Sequence, residues 1–339
     1  MEDLLSEVPL KKDGIKVIAI KLPFDMQERF HTFPFLHAIR AYYPKADLHL
    51  ITPKKNIEML NLLPFTAYYH EFDEHEIKNV FDVHRFCAFS KIHNLDLFIS
   101  LTNSFADACL GLGLRAKHRL GFADGWKGVV LTEKTMRPKG QHVSEDFFAL
   151  YKLHTGDDYD SKQKVLSRDL PYVIEDYDTN PYVAVNLSPL RHAGIEQEWI
   201  DLVSKFERTR FVFFASEDQE KIPLLWDNFM ALCPPNNQYM FFKYPTWIEL
   251  GKMLAYARGV ITYNGAGASV SAYVGSKTLI LYDSEDPQTQ GPFYFQADIN
   301  LMAGNDATIT NKEVKTVLRA RTTFNMDEVA KRAREMFVF

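Results

Sequence analysis

Residues 260–283 read VITYNGAGASVSAYVGSKTLILYD: an apolar strand, a run of small residues at Asn264-Gly265-Ala266-Gly267-Ala268-Ser269, and a second apolar strand. A turn this bare brings a ligand against main-chain N–H groups. A helix opening there presents its positive end to an anion, so the chemistry suggested is phosphate binding. The same glycines also suit a tight strand-to-helix turn with no ligand, and the stretch alone does not separate the two readings. Two Asp-Tyr-Asp triplets, Asp158–Asp160 and Asp176–Asp178, have the Asp-x-Asp form that chelates a metal–diphosphate. They sit in an irregular acidic segment and not at a strand end, so no metal site is expected. Cys87, Cys109 and Cys233 lie far apart and form no zinc or C-x-x-C spacing, which fits a reducing cytoplasm.

These residues must be positioned by elements, and hydropathy supplies them. The first half has short apolar strands at KVIAI, DLHLI and LDLFISL, separated by helical spacing such as FHTFPFLHAIRAYY. The second half alternates more cleanly: YVAVNL, a helix near QEWIDLVSKFE, RFVFFAS, a helix near KIPLLWDNFMALC, YMFFKY, a helix near WIELGKMLAYA, then the two strands quoted above. Strands apolar on both faces belong to parallel sheets covered by helices, so the fold class is α/β with two doubly wound domains. The expected division is a first domain over 1–165, a linker over 166–180 in an Asp-, Tyr- and Pro-rich stretch, and a second domain over 181–339. The last helix is left free to pack back on the first domain.

Composition bounds the function. A chain of 339 residues exceeds one ordinary core and suits two domains. A hydrophobic share of 46% with 24% charged residues is that of a globular protein. The net charge of -5 argues against a nucleic-acid partner, and the basic stretch Arg115–Arg119 reads as a solvated loop. The N-terminus MEDLLSEVPLKKDG is acidic where a signal peptide carries positive charge, and no apolar run reaches membrane-spanning length. The expected location is therefore cytoplasmic. After KVIAI comes KLPFDMQERFHTFP, which contains no glycine, so the dinucleotide fingerprint is missing. Phosphate-loop, H-E-x-x-H and G-x-S-x-G motifs are missing too.

Four blocks in order resemble glycosyltransferase family 9, the ADP-heptose:lipopolysaccharide heptosyltransferases. They are KVIAIKLPFDMQERFHTFPFLHAIRAYYPKADLHLIT, LDLFISLTNSFADACLGLGLRAKHRLGF, VAVNLSP with EQEWIDLV, and LAYARGVITYNGAGASVSAYVGSKTLILYDSEDPQTQGPF. The resemblance implies a GT-B fold, in which two Rossmann-like domains face each other across a cleft, with the acceptor held by the first and the donor by the second. It implies inverting transfer of heptose or a related sugar without metal or other cofactor. The implied partners are a nucleoside-diphosphate sugar, ADP-heptose in the first place, and a lipid-linked or oligosaccharide acceptor of the bacterial envelope. Peripheral contact with the inner face of the inner membrane would accompany such an acceptor.

The family base is an Asp in Met-Gly-Asp shortly before His-Thr-x-Pro. Here MQERFHTFP puts Glu28 at that position, Gln27 replaces the glycine, and Asp25 on the same loop stands in reserve. Without the resemblance, Glu28 reads as a helix-start carboxylate. For the diphosphate, the family pattern falls on Ser188, Arg191 and His192 after YVAVNL, residues that equally suit a polar loop capping the next helix. Glu217 and Glu220 fall where the family carries an acid for nucleoside or sugar hydroxyls. The family's Asn-Asp-Ser-Gly-Pro-x-His is altered to Asn264, Gly265, Ala266, Gly267, Ala268 and Ser269, which removes an acid and a histidine. Either the altered loop still holds a donor, or the chain is a non-catalytic relative that binds sugar nucleotides or glycans. SEDPQTQGPF, with Asp286, Pro287, Gln290 and Gly291, resembles the family's Pro-Thr-Asp-Pro and Gly-Pro rim.

Overall fold

The structure is a computed structural model that describes residues 14–55, 57–73, 77–158, 181–187, 195–216, 222–244, 246–282, 287–292, 314–318 and 326–337. The chain forms two compact units, Met1–Ser161 and Lys162–Phe339. In the first, β1 (Val17–Lys21), β2 (Asp47–Pro53), β3 (Tyr68–Phe72), β4 (Leu97–Ser100), β5 (His118–Phe122) and β6 (Glu133–Thr135) make one sheet. Its order is β3-β2-β1-β4-β5-β6, with every pair parallel. Its helices are α1 (Met26–Tyr42), α2 (Val80–Phe89), α3 (Phe105–Gly113) and α4 (Val143–Thr155).

The second unit repeats the plan. β7 (Val183–Asn186), β8 (Arg210–Phe214), β9 (Gln238–Phe241), β10 (Gly259–Tyr263), β11 (Thr278–Tyr282) and β12 (Val314–Leu318) form a parallel sheet in the order β12-β11-β10-β7-β8-β9. The helices are α5 (Ile195–Ser204), α6 (Ile222–Leu232), α7 (Trp247–Tyr256), α8 (Ala266–Tyr273), α9 (Pro287–Gln290) and α10 (Met326–Phe337). Counted from its own first strand, each sheet runs 3-2-1-4-5-6, the doubly wound order. The connections reverse direction between β1 and β4 in one unit and between β7 and β10 in the other. In such sheets the crevice for a ligand opens at this reversal, beyond the carboxyl ends of the strands.

The central strands form because nearly every side chain is apolar: Ile18, Ala19 and Ile20 of β1 and Val183, Ala184 and Val185 of β7 are all buried. α10 places Val329, Ala330, Ala333, Met336 and Phe337 in the second unit's core beside Trp199 and Phe211. Phe337 covers Gly259 at the start of β10 so closely that a Cβ there would collide with its ring. The last helix thus completes the core of its own unit.

In the first unit α1 and α4 pack side by side. Ser144 Oγ donates to the His31 carbonyl at 2.9 Å, and the His31 and His142 rings meet edge-on at 4.8 Å. Burial, and then the neighbouring His142, hold the His31 pKa well below 6.5, and burial pulls His37 down to about 4. Between those values and 6.5 the unfolded chain binds more protons than the fold does, so stability falls as pH is lowered through that window. Urea unfolding followed from pH 6.5 to 4 should show this loss. His37→Gln should spare on the order of 2 kcal/mol of it, and an unchanged pH slope would count against the assignment.

Candidate functional site

In the first unit the reversal point is built on β1 and the turn that follows it. Asp25 caps α1: its carboxylate accepts the Glu28 N–H at 3.0 Å, a bond that fixes the first helical turn. Glu28 itself is solvent-exposed. Enough protein crowds it that partial desolvation, and then the Asp25 charge, raise its pKa above the ordinary carboxylate value, against the pull of Arg137. Of the two carboxylates read from sequence, Asp25 is thus occupied as a cap, and Glu28 is exposed with its pKa raised.

Around them lie cations that sequence reasoning missed. Lys21, at the end of β1, is 2% exposed, donates to the Leu22 carbonyl at 3.0 Å and stands 3.6 Å from Asp107. Its ammonium also lies 4.3 Å over the Phe72 ring, and burial lowers its pKa. Asp107 is held in turn by Thr102 Oγ1, which donates to it at 2.8 Å. Arg29 is buried, its Nε and Nη1 have no hydrogen-bond partner among the described residues, and burial pulls its pKa down to about 10. Arg137 lies over the Phe122 ring and 3.4 Å from Asp146, while Lys127 reaches Asp124 and Asn103 at 3.6 and 3.4 Å. These side chains arise at the carboxyl ends of β1, β4, β5 and β6, so strand order assembles them from distant parts of the sequence. The signal for Lys21 was a lysine ending an apolar strand and for Arg29 its place beside Glu28; Lys127 and Arg137 had no local signal.

In the second unit the reversal point is the turn from β10 to α8. Gly265 has φ +144°, a backbone state costly for any side chain, and a Cβ there would meet nothing within 4 Å. The first intrahelical bond runs from the Ser269 N–H to the Gly265 carbonyl at 3.0 Å. The N–H groups of Ala266, Gly267 and Ala268 are therefore left outside the helix's own ladder. Gly267 is bare for another reason. Asn186, ending β7, donates to Ser216 Oγ at 3.2 Å and Thr262 Oγ1 at 2.9 Å, and a Cβ on Gly267 would collide with its amide.

Asn264 is anchored on both sides, by its N–H to the Leu281 carbonyl and by its side-chain amide to the Gln290 carbonyl at 3.3 Å. Ala266, Ala268 and Ser269 are buried, and Ser269 Oγ is shut off from solvent with no partner among the described residues. An anion at this turn would thus meet main-chain N–H groups and not the Ser269 hydroxyl. Glu198, in the first turn of α5, accepts the Tyr263 hydroxyl at 3.0 Å and adds a carboxylate near this edge that sequence reasoning missed. Ser188, Arg191, His192, Glu217, Glu220 and Asp286 lie outside the described residues.

Among the described residues no group of three or more His, Cys, Asp or Glu side chains could hold a metal ion, and no helix is long and apolar enough to cross a membrane. No protein-family model and no curated protein sequence matches the chain. Solved structures do match it. The E. coli heptosyltransferase WaaC with ADP superposes with a TM-score of 0.73 at 13% identity, over 94% of this chain and 99% of that one. The glycosyl transferase family 9 structure from Veillonella parvula gives 0.70 at 13% identity, over 95% and 97%. The E. coli ADP-heptose lps heptosyltransferase II gives 0.64 at 14% identity, over 96% and 99%. At these identities the likeness is one of fold, and it runs through both units: the chain has the two Rossmann-like domains of a GT-B glycosyltransferase fold.

Proposed function

We propose that the protein is an inverting, metal-independent glycosyltransferase. It moves heptose or a related sugar from a nucleoside diphosphate, ADP-heptose in the first place, to a lipopolysaccharide-core or other envelope glycan acceptor on the cytoplasmic side of the inner membrane. The observation that carries this reading is the full-length likeness in fold to heptosyltransferases together with a basic, accessible carboxylate, Glu28, at the reversal point of the first unit. In this reading Glu28 takes the proton of the acceptor hydroxyl as its oxygen bonds to the anomeric carbon. The bond from that carbon to the diphosphate breaks, and its electron pair leaves with the diphosphate. The bare 264–269 turn, Ser188, Arg191 and His192 hold the developing charge, with Glu217, Glu220 and Asp286 toward the nucleoside and sugar.

The test is thermal stabilisation by a panel of nucleotide sugars, with and without chelator. A ligand at about 100 times its Kd adds about 2.7 kcal/mol. An ADP-sugar should raise the Tm with chelator present, and Arg191→Ala should weaken diphosphate binding far more than binding of the free sugar. Stabilisation that always required magnesium or manganese would reject metal independence. Tight binding without transfer to any acceptor would favour a binding module.

A further inference from the structure

Residues 125–142 connect β5 to α4 by way of the edge strand β6 and carry an unusual load. Trp126 is 81% exposed, Val129 77% and Met136 64%. The segments that bear them are neighbours: Ala123 N–H donates to the Thr135 carbonyl at 2.8 Å, and Lys134 Nζ donates to the Gly128 carbonyl at 2.7 Å. Phe105, the first residue of α3, which packs against the Gly125–Val129 turn, and Phe24, in the loop after β1, are half-exposed as well. Single exposed apolar side chains are ordinary, but a cluster beside a candidate site marks an interaction surface.

Its charge selects the partner. The segment holds Lys127, Lys134, Arg137 and Lys139 against one acid, Glu133, whose carboxylate turns to His154 at 2.7 Å and His118 at 3.5 Å. Lys127 and Arg137 are engaged by Asp124 and Asp146, which leaves Lys134 and Lys139 exposed beside the apolar cluster. Outside the segment, Asp124 is engaged by Lys127, and Asp25, Glu28 and Glu145 are exposed. An exposed indole with aliphatic neighbours suits the boundary between headgroups and acyl chains, and lysines beside it suit lipid phosphates. Apolar insertion and basic attraction together give the two weak signals that reversible membrane attachment requires.

We infer that this edge docks the protein on a bilayer bearing anionic phospholipids, with Trp126, Val129 and Met136 entering the interface and Lys134 and Lys139 at the phosphates. The transferase reading gives the docking its purpose, since a lipid-linked acceptor would then reach the first unit's reversal point, but the docking is measured without turnover. A second apolar patch, Phe81 and Phe89 of α2, is 87% and 83% exposed. Lys78, Arg85 and Lys91 there are balanced by Glu71, Asp73 and Asp82, so it lacks the same charge preference.

The experiment is flotation of the full chain with vesicles of phosphatidylglycerol and phosphatidylethanolamine, against vesicles of phosphatidylcholine. Binding should occur on the anionic vesicles and shift the indole emission to the blue; that shift should vanish in Trp126→Phe, because Trp199 and Trp247 are buried and Trp226 is half-buried. The combined Trp126→Ser, Val129→Ser and Met136→Ser variant should partition at least about tenfold more weakly at an unchanged Tm. Lys134→Gln with Lys139→Gln should lose binding mainly at low salt. Absence of vesicle binding, wild-type binding by the triple variant, or loss only in Phe81→Ser with Phe89→Ser would each overturn the assignment. So would a dimer formed through this edge with no lipid binding. Failure of transfer to a soluble, deacylated acceptor would instead count against the transferase reading and leave the docking result standing.

Discussion

Glu28→Gln should lower the rate of sugar transfer by at least about a hundredfold while donor affinity changes little. The substitution keeps the size of the side chain and removes the group that would accept the acceptor proton. It leaves the second unit, where the donor would bind, untouched. Its pH signature is more diagnostic than its size. A general base works when deprotonated, so activity falls as pH drops through the pKa of Glu28, which lies above the ordinary carboxylate range because of partial desolvation and then the Asp25 charge. Asp25→Asn removes one of those causes and keeps an acceptor for the cap, so the acid limb should move to lower pH with a modest change in maximal rate. Arg137→Gln removes the one opposing influence, so the limb should move up. If Asp25→Asn were the crippling change and Glu28→Gln the mild one, Asp25 would be the base and the loop alignment would be shifted. If transfer survived both, no base would come from this loop.

How much of this could be read from sequence follows from where the causes lie. β1, β2, β4, β7, β8, β9, β10 and β11 announce themselves because their runs are largely apolar, as strands covered by helices on both faces are. β3 and β6 do not. They are sheet edges, and their residues, Tyr68 to Phe72 and Glu133 to Thr135, are largely accessible and polar. β5 begins with His118 and Arg119, which interrupt any apolar run although it lies inside the sheet. The site divides in the same way. Glu28 and the 264–269 turn were legible because a motif is local. Arg29 adjoins Glu28 in sequence, whereas Lys127 and Arg137 come to the same candidate site only because strand order sets β5 and β6 beside β1 and β4, and no spacing encodes that. The turn itself was legible but only partly understood: its conformation at Gly265 is a property of the backbone, whereas the bareness of Gly267 is imposed by Asn186, which lies far away in the sequence.

That difference can be measured by a double-mutant cycle on the second unit's unfolding transition. In an open helix Gly→Ala stabilises by up to about 1 kcal/mol. Gly267→Ala should do the opposite and cost about 2–3 kcal/mol, because its Cβ meets the buried Asn186 amide and forces apart the bonds to Ser216 and Thr262. In an Asn186→Ala background the obstacle is gone, so adding Gly267→Ala should be neutral or slightly stabilising, with a coupling of at least about 2 kcal/mol between the two sites. Gly265→Ala supplies the contrast. Nothing lies within 4 Å of its would-be Cβ, and the cost comes from a φ of +144° that only glycine adopts freely, so Asn186→Ala should not rescue it. Rescue of both substitutions, or of neither, would mean that backbone geometry and packing have been assigned to the wrong glycines. Rescue of Gly267→Ala alone would leave Gly265 as the position where the main chain is bare toward open space, which is where an anion would have to approach.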